Sequence, residues 1–582
     1  MKNVFFGLGL EYEKGIHARV ALGRDGRIIE VHESADANGL NYCSGRLRQM
    51  AIEWDDSVAF GEGAEPGIAI EGRVMVEVHR AAGGSDLYCR IGVWDEDGIV
   101  FGENVKYASG EAPCVAMNRQ AIVEVHESPW NAKIWCNLGR LDEDTDSIVW
   151  LGNTYLDAGI QPGIAINAQN DVVMVRGNTS DSDLHYRVGK LGLNGISWGP
   201  PTLYGAGSHA SVALTPEGEV IVVYENTDQK TVLQRFGRIR GKSIDWAGEA
   251  VYFDDGARPS VACNGGMAIQ VHQSENFNAL WASTSRVADR SRWMQDNLRV
   301  LGDLTLPWLT TGASHDAGMY QHGLLMSLGK TQNLDLYQQL SNGIRYFDLR
   351  PKWDGSALYV SHGPITGPAL SEIVDDVRRF MNEGNRELVI LKFSHYAKFT
   401  DGIYEQLVEM LQDKLGRWLF QNLPQGARLS DIPLGEYLRH SGVVLVVCDE
   451  DYPVDIPAAG IWVYRDSDSP TAELGDLRVY DKYSNTTSYD TMSTDQIAKF
   501  QAYDGSCVDR PELPCDQFLL SWTLTPPTGV WLLSKDANRN LGEAMAALPR
   551  ENASGRVINQ LYVDYAEYSR ATDVAMSMNR IP

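Results

Sequence analysis

Apolar and polar positions alternate through the first half of the chain, and the alternation recurs. Its clearest form is a strand reading IIEVHES at 28–34, VMVEVHR at 74–80, AIVEVHES at 121–128 and AIQVHQS at 268–274, with looser copies VVMVRGN at 172–178 and VIVVYEN at 220–226. The equivalent positions His32, His79, His126, Arg176, Tyr224 and His272 lie 47, 47, 50, 48 and 48 residues apart. A second marker runs in phase, an aromatic followed nine or ten residues later by glycine: Phe6/Gly15, Trp54/Gly63, Phe101/Gly110, Trp150/Gly159, Trp198/Gly207 and Trp246/Gly256. Five residues after each glycine stands Val or Ile. Each unit thus offers about four short strands separated by Gly, Asn and Asp turns.

A period in the high forties with four strands per unit predicts a β-propeller, here with six blades. The last unit ends after ALWASTSRV without its aromatic strand, and the opening residues NVFFGLGLEYEKG match what is missing. The N-terminal strand is therefore expected to close the last blade, over a domain of residues 1–288. The recurring histidines allow two readings. The favoured one is a hydrogen bond inside each blade; the other is a ring of ligand sites built from His-Glu pairs and aromatics such as Tyr88 and Trp135.

Beyond residue 285 the period changes. RVADRSRWMQDN is charged and suits a linker or connecting helix, placed at 289–303. From 304 to 582, strand-like runs (YFDLRP, LYVSHG, ELVILKF, GVVLVVCD, VINQLYVDY) alternate with helical ones. In LSEIVDDVRRFMNEG, Leu370, Ile373, Val374, Val377 and Phe380 keep helical spacing. Such alternation predicts a β/α barrel of the TIM type, though irregular, with reactive groups at the C-terminal ends of its strands. The fold class expected is multidomain: an all-β six-bladed propeller followed by an α/β barrel.

Composition narrows the partners. A formal charge of −26 excludes nucleic acid, because nothing would neutralise its phosphates, and disfavours simple electrostatic attachment to anionic lipid. No apolar run approaches the roughly 20 residues of a transmembrane helix. The start resembles a signal peptide only in Lys2 and a short apolar patch, which meets Glu11 and Glu13 too early. It is read as part of the fold, which leaves location open between the cytoplasm and export by a non-classical route. Cys43, Cys89 and Cys136, spaced 46 and 47 apart, suggest equivalent buried positions, whereas Cys507 and Cys515 could pair in an oxidising compartment. No Cys/His cluster has zinc-site spacing.

The candidate chemistry lies in the second half. His315 and Asp316 follow its first apolar run, Asp348 and Arg350 end YFDLR, His362 ends LYVSH, His395 follows VILKFS, and Asp564 ends QLYVD. Any one alone reads as structural; their recurrence at strand ends points to a site. Two histidines can divide acid and base work near neutral pH, carboxylates can orient the rings, and an arginine fork suits a phosphate. The pattern resembles ribonuclease-like in-line chemistry, in which a neighbouring hydroxyl attacks phosphorus. No phosphate-cradling glycine loop is present. His322 has no partner motif and is read as structural.

GASHDAG, TQNLDLYQQLSNGIRYFDLRPKWDG, LYVSHG and RELVILKFSHY resemble the X-type catalytic domain of phosphatidylinositol-specific phospholipase C. The likeness is to the bacterial, metal-independent enzymes and to the small X-domain proteins of animals, and is strongest over 304–396. It implies that His315 is the general base toward the inositol 2-hydroxyl and His362 the general acid toward the diacylglycerol oxygen. Arg350 would stabilise the pentavalent phosphate, Asp316 would support Arg350 and His362, and Asp564 would hold His315. Asp348 would lie beside the phosphate. In VYDKYSN, Asp481 and Tyr483 resemble the residues that hold the inositol ring, and His395 is a further candidate for the site. Calcium-dependent relatives carry a carboxylate where Arg350 stands, so no cofactor and no calcium are expected. One departure is that the family's inositol-binding lysine has no counterpart in place: Ser394 and His395 occupy its region, and Lys392 is displaced.

The expected function is cleavage of phosphatidylinositol, or its glycosylated form, to diacylglycerol and inositol 1,2-cyclic phosphate at a membrane surface. The propeller would target the enzyme through a glycan or a protein. The alternatives are a propeller lectin with an inert barrel, or a phosphodiesterase acting on another phospholipid. A metal-dependent glycerophosphodiesterase would want a Glu-x-Asp pair, which FDLR lacks.

Overall fold

The computed structural model describes residues 2–581 except 36–38, 143–146, 276–277, 322–328, 450–455, 508–509 and 527–528. His322 lies outside the described residues. The chain divides into two compact units, Met1–Ala288 and Asp289–Pro582.

The alternating runs of the first unit form six antiparallel sheets. Their first strands are Ile16–Leu22, Ala64–Glu71, Glu111–Met117, Ile160–Ile166, Ser208–Leu214 and Ala257–Cys263. Each first strand neighbours that of the next sheet, and the sixth returns to the first, so the sheets make a closed circuit. Leu10–Glu13 lies antiparallel to Leu280–Arg286, with Leu10 opposite Ala282, and so adds the N-terminal segment to the sixth sheet. Four sheets have five strands, not the four expected per unit. The third strand of each is ten or so residues long, and two short strands share its outer edge, as Ala51–Trp54 and Val58–Glu62 share Gly39–Arg48.

The circuit is stitched by one repeated device. Every first strand carries a bulge near its start, at His17, Glu65, Ala112, Gln161, His209 and Arg258, each in the left-handed region with φ between 47° and 54°. A bulge turns its N–H out of the ladder. The freed amide then bonds across to the preceding sheet: Glu65 to Glu33 Oε1 (2.7 Å), Gln161 to Glu127 Oε2 (3.1 Å), Arg258 to Glu225 Oε2 (3.2 Å) and His17 to Gln273 Oε1 (3.2 Å). These acceptors are the residue after the repeated His. Where that residue is Arg80, it pairs with Glu65 at 2.9 Å, and Glu65 accepts the Ala112 amide instead.

The repeated histidines are buried at 0–2 % exposure, which rules against a ring of open ligand sites made from them. His32 Nδ1 faces Glu30 at 2.9 Å, His79 faces Glu77 at 3.0 Å and His126 faces Glu124 at 3.1 Å. The in-phase glycine is the other half of this packing. A Cβ on Gly110 would come within 2.6 Å of His126 Cδ2, and one on Gly256 within 2.6 Å of His272 Cδ2. The cysteine expectation holds for two of three residues: Cys89 and Cys136 sit opposite Val78 and Val125, each just before the repeated His. Cys43 is one position off, opposite Glu30, because Tyr42 takes the equivalent place.

In the second unit eight parallel strands close a barrel in chain order: Thr311–Ser314, Tyr346–Leu349, Leu388–Phe393, Val443–Cys448, Ile461–Asp466, Leu477–Asp481, Gln517–Trp522 and Gln560–Val563. The helix Leu370–Asn382 buries the five apolar residues of its stripe. Two expectations are corrected. LYVSHG is not a barrel strand: Leu358–His362 is the middle strand of a small antiparallel sheet that follows the second barrel strand. Nor is 289–303 a linker. It forms short helical turns, with Trp293 buried and donating to Gly343 O (3.0 Å), and Arg290 paired with Asp573 at 2.7 Å. Its amides at Met294 and Gln295 also meet Glu387, the residue before the third barrel strand. Cys507 and Cys515 are both buried, and no disulfide joins them among the described residues. Among the described residues no helix is long and apolar enough to cross a membrane.

Candidate active site

Along a strand, residues two apart share a face, and parallel pairing sets register partners on the same side of the sheet. Tyr346, Asp348 and Arg350 run along one face of the second strand and its extension, and Asp348 pairs in register with Lys392 of the third. Parallel pairing of Ser314 with both Phe347 and Val563 sets the strand ends carrying His315, Asp348 and Asp564 side by side.

His315 is the centre of the cluster. Its Nδ1 lies 2.7 Å from Asp564 Oδ1, and its Nε2 lies 3.3 Å from Asp316 Oδ2 and 3.1 Å from Arg350 Nη2. An Nδ1–H donated to Asp564 leaves Nε2 as the lone-pair nitrogen facing the guanidinium. Arg350 Nε is 2.6 Å from Asp316 Oδ1, and its Nη2 is 3.1 Å from Asp348 Oδ2. His362, carried in by the small sheet, places Nε2 at 3.7 Å from the same Asp316 Oδ2. The two imidazoles stand 6.5 Å apart, centroid to centroid, with the Asp316 carboxylate reaching both.

The backbone holds this arrangement under strain. Asp316 has φ 41°, a left-handed conformation that costs a non-glycine residue about 1–3 kcal/mol. Its carbonyl accepts from Thr331 Oγ1, and Gln332 Nε2 donates to the His315 carbonyl, both at 2.9 Å.

Burial works against the charged form of His315, but Asp316 and Asp564 outweigh it and raise the ring to about 8. Burial likewise works against ionised Asp348, yet Lys392, Arg350 and His315 hold its carboxyl well below the usual range. Arg350 remains 20 % exposed at its side chain and His362 34 %, so both can meet a ligand. Two acid-base groups thus flank a guanidinium whose partners are already fixed, which is an arrangement for proton transfer around a tetrahedral anion. His315, Asp316 and Asp348 also present atoms within 4.8 Å of one another, close enough for a cation. The Arg350 fork lies between those carboxylates and opposes a cation there.

No family model matches the chain. The sequence is 25 % identical over 229 residues to a PI-PLC X-box domain-containing protein of Dictyostelium discoideum, covering 36 % of this chain and 29 % of that protein. It is 34 % identical over 116 residues to the 1-phosphatidylinositol phosphodiesterase of Listeria monocytogenes, covering 19 % and 34 % of the two chains. Human PI-PLC X domain-containing protein 3 is 34 % identical over 90 residues, 15 % of this chain and 28 % of its own. The chain thus spans about a third of the length of these relatives. Among solved structures, the phosphatidylinositol-specific phospholipase C from Listeria monocytogenes aligns with 50 % of this chain and 98 % of its own, at 17 % identity and a TM-score of 0.35.

The remaining candidates divide. Asp481 joins the cluster through Lys392, whose Nζ lies 3.4 Å from both Asp348 and Asp481. This corrects the reading of Lys392 as displaced: it ends an inward-facing alternation and is 4 % exposed. His395 has φ 55° and meets Ser394 Oγ at 3.0 Å, at the rim. Tyr483 stands 60 % exposed, two residues beyond Asp481.

Sequence reasoning passed over Tyr562, whose hydroxyl donates to Asp348 at 2.7 Å, and Ser394, whose Oγ lies 3.3 Å from the same carboxylate. It also passed over Tyr464, which donates to Asp481 at 3.1 Å, and Asp466 beside it, raised by burial and then by Asp481. A signal existed for one of these: Tyr562 shares a strand face with Asp564.

Proposed function

We propose that the second unit is a phosphodiesterase of the phosphatidylinositol-specific phospholipase C type. The observation that carries this is the pair of imidazoles on either side of one Asp316–Arg350 ion pair, with His315 held from behind by Asp564. Similarity to proteins carrying the PI-PLC X domain supports it.

In this reading His315 Nε2 takes the proton of the inositol 2-hydroxyl, and that oxygen attacks phosphorus. The bond to the diacylglycerol oxygen breaks as His362 delivers a proton to it. Arg350 neutralises the charge that builds on the non-bridging oxygens, while Asp348 and Asp316 hold its fork. The products are diacylglycerol and inositol 1,2-cyclic phosphate. Arg350 supplies the positive charge, so calcium is not required. Lys392 and Asp481 face the head group with Tyr464, His395 and Tyr483 farther out. Because Lys392 is already met by two carboxylates, with Asp466 beyond, this end suits an inositol without further phosphates.

The closed circuit of six sheets is proposed to be a six-bladed propeller that brings the enzyme to its surface through a glycan or protein. The test is phosphorus NMR on phosphatidylinositol vesicles with a chelator present. A cyclic phosphodiester should appear with the native chain and be absent with His315→Ala. An acyclic phosphate as first product, or turnover only with calcium, would contradict the reading.

A further inference from the structure

The cycle of first strands encloses a cavity of about 220 Å³ in the first unit. Its wall includes the bulged residues that stitch the sheets, so its charge pattern follows from the repeat. Two arcs differ in sign. Arg258 of the sixth sheet and Arg19 of the first are neighbours, and across the circuit stand Glu111 and Glu127 of the third sheet.

These four form no salt bridge among the described residues. Glu65 is taken by Arg80 at 2.9 Å, and His209 by Glu225 at 3.1 Å. Among the described residues, neither Arg19 nor Arg258 has a carboxylate within salt-bridge distance, and Glu111 has no basic partner. Glu127 accepts one amide, from Gln161. Two cations and two anions therefore line one space without pairing, because the cavity keeps them apart.

Each arc also repels itself. Burial lowers Arg258 and Arg19 adds to the lowering, against the opposing pull of Glu225 and, after it, Glu65 and Glu33. Burial raises Glu127; the Gln161 amide opposes this, and Glu111 and Glu65 add to the rise. A neutral ligand relieves neither arc, and a single ion relieves one while worsening the other. A ligand with an anionic and a cationic end relieves both.

We propose that the cavity binds a small zwitterion, its carboxylate or phosphate between Arg19 and Arg258 and its ammonium toward Glu111 and Glu127. The volume gives room for roughly seven waters, which suits a small ligand.

The test is calorimetric titration of the full chain with ω-amino acids from β-alanine to 8-aminooctanoate. Hexanoate and hexylammonium serve as comparators lacking one end. At least one ω-amino acid should bind with one-to-one saturation, each comparator about tenfold or more weaker. Arg19→Met and Glu111→Gln should each weaken binding by about tenfold. Glu111 is exposed, so that variant keeps the test if Arg19→Met fails to fold. Absence of saturable binding across the series, a comparator binding as tightly as the zwitterion, or unchanged affinity in the folded variants would overturn the proposal.

Discussion

The two units use the same pair, an imidazole Nδ1 facing a carboxylate, for different ends. In the sheets His79 meets Glu77 at 3.0 Å and His126 meets Glu124 at 3.1 Å; in the barrel His315 meets Asp564 at 2.7 Å. What differs is the other side of the ring. His126 lies against Gly110 with 2 % exposure, whereas His315 presents Nε2 to Arg350 and Asp316 and keeps 17 % of its side chain open. The dyad alone is therefore no sign of catalysis. In the proposed function, a second acid-base group and a fork of positive charge beside the Nε2 nitrogen make the difference.

The sharpest way to break that contrast is at the fork. Arg350→Lys keeps the charge but loses the planar pair of donors, and turnover of phosphatidylinositol should fall on the order of 10³-fold with the melting temperature nearly unchanged. A loss under tenfold would make Arg350 an ordinary structural ion pair. On the other side, Gly110→Ala places a methyl 2.6 Å from His126 Cδ2 and 2.7 Å from the Glu127 carbonyl. It should cost about 1–3 kcal/mol of stability in denaturant unfolding and leave turnover per folded molecule intact.

The smallest expected effect is in pH. His315 is raised in the fold to about 8, above its unfolded value, so its charged form is the stabilised one. Its contribution is complete below about pH 6.5 and lost as pH rises through 8, at most about 2 kcal/mol and less for a group with some solvent contact. Urea unfolding of the native chain and His315→Asn should differ more at pH 6 than at pH 9. As the base, His315 must be neutral to act, so kcat/KM should rise with pH to a limb near 8.

Much of this was legible because periodicity survives in the residues. The repeat of His and Gly is a packing contact made six times, with Arg176 and Tyr224 substituting at two of them. YFDLR carries its three polar side chains on one strand face, and the eight-stranded barrel follows from alternation. What stayed hidden was non-local. His362 reaches the site from a side sheet, which a strand-like run does not distinguish from a barrel strand. Lys392 looked out of place until parallel pairing set it opposite Asp348. The charged run at 289–303 read as a linker because burial of Arg290 depends on Asp573, at the far end of the sequence.

The central claim is that one His–carboxylate pair is chemical and the others structural. It is tested most directly by measuring turnover and melting of His315→Ala beside His126→Ala. Measured at pH 9, where the charged form of His315 no longer contributes, the first should lose at least about 10³-fold in turnover and melt within about 2 °C of the native chain. The second should melt on the order of 5 °C lower, with turnover per folded molecule unchanged. Near-native turnover in His315→Ala, or lost turnover with native melting in His126→Ala, would contradict the account.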